Sequence, residues 1–203
     1  MSIAELFAPL LPPGTAFATL PTESAPRLFP DEEAAVARAV VKRQRTFAAG
    51  RACARRALGV EVAIGVGTHG APQWPAGFVG SITHTDDDAA AVASQALRAI
   101  GIDLESLAHA ARVADLIATV ATPRDVLPAH ADVAALVFSA KESIYKCLYP
   151  LTGRLLDFSD VDVAFGDGTF SVLRAAGYAD VAAVRGRFAS NATHVATVAF
   201  IPK

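Results

Sequence analysis

Long apolar runs are missing from this chain. Hydrophobic residues make up 53% of its 203 residues, but much of that fraction is alanine and charges break every stretch. The composition therefore describes a globular chain and offers no segment long enough to span a bilayer. Secretion features are missing as well: Met1 to Leu20 has no basic lead and is interrupted by Glu5, Pro9, Pro12 and Pro13. Cysteine is scarce, with only Cys53 and Cys147, both on helical patterns, which points to buried thiols in a reducing compartment. A net positive charge is lacking too. At −2 the chain is poorly matched to a nucleic-acid polyanion. A cytosolic protein of one large domain or two small ones is expected.

One local absence is more pointed. No acidic residue occurs between Ala34 and Val60, whereas Arg38, Lys42, Arg43, Arg45, Arg51, Arg55 and Arg56 all fall there. Arg38, Lys42 and Arg45 follow i, i+4, i+7 spacing and would form one basic stripe on a helix. Such a stripe is either a solvated face or an anion site. On a mildly acidic chain, a compact phosphate ligand suits it better than a polyanion.

Two motifs carry the chemistry. In Gly101-Ile102-Asp103-Leu104-Glu105, the apolar run from Ala99 reads as a strand, so Asp103 and Glu105 share a face. In Phe138-Ser139-Ala140-Lys141-Glu142-Ser143-Ile144-Tyr145-Lys146, helical spacing puts Glu142 and Lys146 on one face. On that helix Val133, Leu136, Val137, Ala140, Ile144, Cys147 and Leu148 form an apolar face, with Glu142 and Lys146 nearly opposite. Carboxylates converging from strand and helix suit a hard divalent cation such as Mg²⁺, and a lysine beside them suits phosphate. The plain alternative is an exposed Glu–Lys pair contributing a few tenths of a kcal/mol.

The coarse order is helices at about 31–42 and 44–58, then a strand at 60–66 and a glycine- and proline-rich loop at 67–77. Strands at 78–83, 89–94 and 99–104 would make a three-stranded meander, with Asp86-Asp87-Asp88 a solvated hairpin tip. Helices follow at about 109–120 and 132–148, the second stopped by Pro150. Strands at about 161–165, 169–173, 181–188 and 193–200 complete the chain, with Gly166-Asp167-Gly168 a tight turn. Helices then a meander, twice over, is an α+β arrangement, although no residue-level repeat marks the two halves.

These motifs resemble the 4′-phosphopantetheinyl transferases of the surfactin and enterobactin type, whose pattern is roughly G-[IV]-D-x-E followed by [FW]-[SC]-x-K-E-[AS]-x-x-K. Two further stretches agree: the basic run Arg43 to Arg55, and Gly70-Ala71-Pro72-Gln73-Trp74-Pro75 leading into Gly80-Ser81-Ile82-Thr83-His84. The resemblance spans about Phe29 to Gly153 and looks closest to the enterobactin-synthase branch. It implies two pseudo-twofold α+β subdomains, 1–105 and 106–203, with the ligand in the cleft between them and the seam just after Glu105. It implies Mg²⁺-dependent transfer of phosphopantetheine from coenzyme A to a serine of an acyl or peptidyl carrier protein, by a monomer. Asp103, Glu105 and Glu142 match the metal positions. Glu142 also matches the acceptor of the serine proton, directly or through a metal-bound water. Lys146 matches a pyrophosphate contact, and Lys141 either a second one or a surface residue. Arg43, Arg51, Thr83 and His84 match contacts to the phosphates of coenzyme A. Arg55 and Arg56 either join them or cover the helix, and Trp74 either packs on adenine or closes its loop. Many relatives carry lysine where this chain has His69, which would weaken phosphate contact at neutral pH.

A Mg²⁺-dependent nuclease and a non-catalytic carrier-binding module are the competing readings. Nuclease sites usually place lysine two residues after the acid on a strand, whereas Lys146 is four after Glu142 on a helix. The intact set Asp103, Glu105, Glu142 and Lys146 argues against a module without activity.

Overall fold

The computed structural model describes residues 1–109 and 117–203, so part of the helix expected at 109–120 lies outside the described residues. The chain forms two compact units, Pro12–Ala96 on one side and Met1–Leu11 with Leu97–Lys203 on the other. Helices and antiparallel sheets make up both, an α+β fold.

In the unit Pro12–Ala96, strands β1 (Thr15–Pro21), β5 (Asp88–Ser94) and β4 (Val79–His84) form an antiparallel sheet in the order β1-β5-β4. Helix α3 (Val41–Leu58) packs on it through Ala49, Ala52, Cys53 and Ala57, which meet Ala89, Ala91 and Ala93 of β5. Small side chains on both surfaces let helix and sheet approach closely. A short hairpin, β2 (Gly65–Val66) with β3 (Pro72–Gln73), takes the place of the strand expected at 60–66.

The basic stripe does not lie on one helix. Helix α2 (Pro30–Val36) ends before Arg38, and Val40 is extended before α3 begins. The Gln44 amide donates to the carbonyls of Val36 and Ala39, satisfying chain-end acceptors that a continuous helix would have used itself. Glu32, in the first turn of α2, is fully buried. Its carboxylate accepts from the guanidinium of Arg55 at 2.7 and 2.8 Å and from the backbone N–H of Phe29 and Ile64. Each lone-pair direction is used, the condition under which a buried ion pair holds its geometry.

The other unit is built on a five-stranded antiparallel sheet in the order β6-β10-β9-β8-β7. Its strands are β6 (Leu97–Ser106), β7 (Val161–Phe165), β8 (Thr169–Ala175), β9 (Arg185–Ser190) and β10 (His194–Pro202). Sequence proximity suggests a meander from β5 into β6, and the resemblance implies a seam after Glu105. Instead β6 pairs along β10 from Ser106↔His194 to Leu97↔Pro202, and β1 takes the place beside β5. The division therefore falls at Ala96/Leu97. The first residues belong to this unit as well: Arg187 donates to the carbonyls of Leu10 and Leu11, and helix α1 (Ile3–Phe7) carries the buried Leu6 and Phe7.

The segment Ile117–Val120, here α4, is a single helical turn before the long helix α5 (Val133–Thr152). Pro150 does not stop α5. It forgoes one backbone hydrogen bond in the last turn, and the left-handed Gly153 (φ 63°) ends the helix, its N–H on the Tyr149 carbonyl. The expected apolar face is buried against Ala99, Ala199, Ile201, Val163 and Val172.

At Gly101 the backbones of α5 and β6 come close together. A Cβ there would overlap the Ser143 carbonyl oxygen and the Cys147 amide nitrogen, both backbone atoms that have no rotamer to give way. Gly101→Ala should cost about 1–3 kcal/mol or more through overpacking, read as a lowered melting temperature. A melting temperature equal to the parent's would mean that the helix does not sit this close.

Candidate active site

Alternation along β6 puts Gly101, Asp103 and Glu105 on the face turned toward α5. One turn beyond the contact at Ser143, the Lys146 ammonium reaches back to Asp103 Oδ1 at 2.6 Å and the Ile102 carbonyl at 3.3 Å. The Lys146 side chain is only 25% exposed and that of Asp103 5%. This is not the solvated Glu–Lys pair of an ordinary helix face. Lys146 and Asp103 meet because Gly101 lets the helix touch the strand.

The electrostatics follow from crowding like charges in a poorly hydrated place. Burial, reinforced by the Asp103 charge, pushes Glu105 up to about 8, and a hydrogen bond to Asp103 holds its proton. Glu142 is also raised, first by burial, with Lys146 opposing and Asp103 adding. Burial alone would lower Lys146; the charge and hydrogen bond of Asp103, with Glu142 and Glu105, outweigh it and move Lys146 upward. One fixed ammonium thus stands among three carboxylates, two of which, Glu105 and Glu142, bind protons more tightly than usual. Among the described residues, no group of three or more His, Cys, Asp or Glu side chains has the arrangement of a metal site.

The phosphate candidates separate into two kinds. Arg43 and His84 are brought together: Arg43 Nη1 donates to His84 Nε2 at 3.0 Å, which makes that nitrogen the unprotonated one. Both side chains are exposed, whereas Thr83, next to His84 on β4, is buried. Arg51 is not on the surface. It is 4% exposed, Nε donates to the Ile64 carbonyl at 2.8 Å, and the guanidinium lies 4.3 Å from the Phe47 ring centre. Burial lowers it to about 10 despite the charge of Glu32. Arg55 is likewise turned inward, onto Glu32 and the Phe29 ring, while Arg56 stays exposed.

Lys141 requires the same correction, both as a phosphate contact and as a surface residue. It is 2% exposed, and its ammonium donates to Asp125 Oδ2 at 2.8 Å and the Phe158 carbonyl at 3.1 Å. Asp125 also accepts from the N–H of Thr122 and Val163, so the pair ties the turn before α5 to β7. The sequence signal for Asp125 is weak, since nothing local marks an acid that will be buried by a lysine 16 residues on. Trp74 packs against the core with Phe78 and Ile82, its ring over Gly80, where a Cβ would collide with it. The Asp86 carboxylate makes an exposed pair with Lys42, as a hairpin tip allows.

The same two segments that hold these clusters match family profiles. Residues 31–94 match the 4′-phosphopantetheinyl transferase N-terminal domain, and residues 99–199 match the 4′-phosphopantetheinyl transferase superfamily. The chain belongs to the 4′-phosphopantetheinyl transferases. It is 38% identical over 173 residues to the 4′-phosphopantetheinyl transferase Svp of Streptomyces mobaraensis, covering 77% of this chain and 69% of that protein. Identity to the transferase Npt of Nocardia iowensis is 40% over 166 residues, 71% of this chain and 73% of the relative. Enterobactin synthase component D of Salmonella typhi is 35% identical over 114 residues, 52% of this chain and 48% of that protein. The two matched profiles meet between residues 94 and 99, where the chain passes from one compact unit to the other.

Two outcomes follow for this transferase. Arg51→Ala should destabilise by about 2 kcal/mol or more, because it strands buried carbonyls and removes a stacked cation; denaturant unfolding reads it, and an unchanged midpoint would restore Arg51 to the surface. The folded protein keeps a proton on Glu105 that the unfolded chain releases near pH 4.5. The contribution of Glu105 to metal-free stability should therefore be complete below that pH and be lost as pH rises toward about 8. Glu105→Gln should flatten this stretch of the melting profile recorded in chelator, and a parallel profile would remove Glu105 as its source.

Proposed function

We propose that this chain transfers the 4′-phosphopantetheine group of coenzyme A to a serine hydroxyl of an acyl or peptidyl carrier protein, releasing adenosine 3′,5′-bisphosphate. The observation that carries the proposal is the Asp103–Lys146 contact, with Glu105 and Glu142 in the same electrostatic cluster, inside a segment matched by the superfamily profile. The reaction is attack of the serine oxygen on the β-phosphorus of the pyrophosphate, with the bisphosphate leaving. Its barrier is set by charge on the phosphoryl oxygens and by alignment.

The donor set fits Mg²⁺ in chemistry: three carboxylates with hard oxygen atoms, the charge of Asp103 raising the proton affinity of both Glu105 and Glu142. Asp103, Glu105 and Glu142 would hold the ion, which when bound supplies positive charge to the pyrophosphate oxygens. The proton on Glu105 and the ammonium against Asp103 mark where positive charge is favoured. Lys146 stays charged, since its affinity for a proton is raised, and offers its N–H groups to the pyrophosphate. Glu142 takes the serine proton, directly or through a metal-bound water. Arg43, oriented by His84, takes a phosphate of coenzyme A with the N–H groups that His84 leaves open. A monomer working in the cytoplasm completes the proposal; no helix among the described residues is long and apolar enough to cross a membrane.

The test is incubation with coenzyme A, Mg²⁺ and an apo carrier, followed by weighing the carrier. A carrier whose mass does not change sinks the reading. Glu142→Gln and Lys146→Ala should each lower turnover by about 10²–10³-fold; Lys146→Ala should also lower the melting temperature, because it leaves the buried Asp103 carboxylate without its cation. Glu142→Gln should also weaken Mg²⁺ binding, whereas Lys146→Ala should keep it. Full activity of the Lys146→Ala variant would overturn the role given to the lysine.

A further inference from the structure

The interface between α5 and the sheet carries a second polar contact besides Lys146–Asp103. Ser139 and Thr197 are both fully buried there. The Thr197 hydroxyl donates to the Ser139 carbonyl at 2.8 Å, and the two hydroxyl oxygens lie 2.9 Å apart. Because Thr197 has spent its only proton on the carbonyl, Ser139 must donate to Thr197 Oγ1. The result is a closed pair of hydrogen bonds with fixed direction, surrounded by Ala135, Leu136, Ala140, Val195 and Ala199.

Its position matters more than its strength. Thr197 on β10 is the direct partner of Asp103 on β6, so both side chains stand on the helix side of the sheet. On α5, Ser139, Ser143 and Lys146 are spaced i, i+4 and i+7 and form one stripe. That stripe meets the sheet at three points: Ser139 on Thr197, the Ser143 carbonyl against Gly101, and Lys146 on Asp103. Apolar contacts let a helix turn and slide by fractions of an ångström at little cost. A pair of buried hydroxyls does not, since each must keep its partner or lose its hydrogen bond in a dry environment.

We infer that the Ser139–Thr197 pair is a positioning device for the transfer reaction: it sets the rotation and rise of α5 so that Glu142 and Lys146 meet Asp103 in working register. The inference rests on the activity proposed above. Thr197→Val keeps the shape of the side chain and removes the hydroxyl. Thr197→Ser keeps the hydroxyl and removes a buried methyl. The double variant Ser139→Ala with Thr197→Val removes both partners and leaves no stranded polar group.

These variants separate positioning from plain stability when melting temperature, kcat and KM for coenzyme A are measured on each, with the apo carrier as acceptor. Thr197→Ser should melt lower yet keep the parent kcat. The double variant should melt close to the parent yet lose about tenfold or more in kcat, as small misplacements of reacting groups do, with KM for coenzyme A unchanged. Thr197→Val alone should lose both. If kcat instead follows melting temperature across the set, so that the double variant is active and Thr197→Ser is impaired, the pair is structural only and the inference falls. A parent protein that moves nothing to the carrier would sink the proposed activity itself, a result distinct from either pattern.

Discussion

The cluster of Asp103, Glu105, Glu142 and Lys146 depends on one backbone contact, the approach of α5 to β6 over Gly101. With no side chain at that position, the helix carbonyl at Ser143 and the amide at Cys147 lie where a Cβ would otherwise be. A lysine ammonium one turn along can then reach a strand carboxylate at 2.6 Å without leaving the helix. Any larger residue would overlap helix backbone at Ser143 and Cys147, atoms with no rotamer to move aside. The glycine does not act on a ligand. It fixes the distance at which the acting residues stand.

Crowding then sets their chemistry. Asp103, Glu105 and Glu142 are held in a poorly hydrated place where their charges oppose one another, so proton affinity rises for Glu105 and Glu142. The same charges keep Lys146 protonated against its own burial. An assembly of this sort favours added positive charge and prepares a carboxylate to take a proton, two needs of phosphoryl transfer. The buried ion pairs Glu32–Arg55 and Lys141–Asp125 are different. Each is fully hydrogen-bonded to backbone as well and joins segments distant in sequence.

The legible parts of the chain were those governed by local periodicity. Alternation on β6 put Asp103 and Glu105 on one face, and the 3.6-residue repeat on α5 did the same for Glu142 and Lys146 and buried Leu136, Ile144 and Cys147; the resemblance brought strand and helix together. What failed depended on partners far away. Arg51, Arg55 and Lys141 look alike in sequence to exposed cations; what turns them inward is the Ile64 carbonyl, Glu32 and Asp125, and no local rule points to those. The same holds for β6, which neighbours β5 in sequence but hydrogen-bonds to β10 about a hundred residues later. Strand β1 was hidden because its surroundings are proline-rich, although Thr15–Pro21 needs only an edge of β5 to pair with. The contact between Arg43 and His84 was not read from the sequence, which took each only as a separate phosphate contact implied by the resemblance.

The order in which the strands are made has a consequence for synthesis on the ribosome. The unit Pro12–Ala96 is continuous, so its sheet and α3 can close as soon as that stretch has emerged. Strand β6 has no such option: its pairing partner is the last strand, and the N-terminal segment that carries Leu6, Phe7 and Leu10 also waits for β9 and β10. Until then an apolar strand edge and an apolar helix stay exposed on the nascent chain, a state prone to aggregation. The metal-binding candidates on β6 are among the early residues of this unit to be synthesised, yet they gain their surroundings only when the final strand arrives.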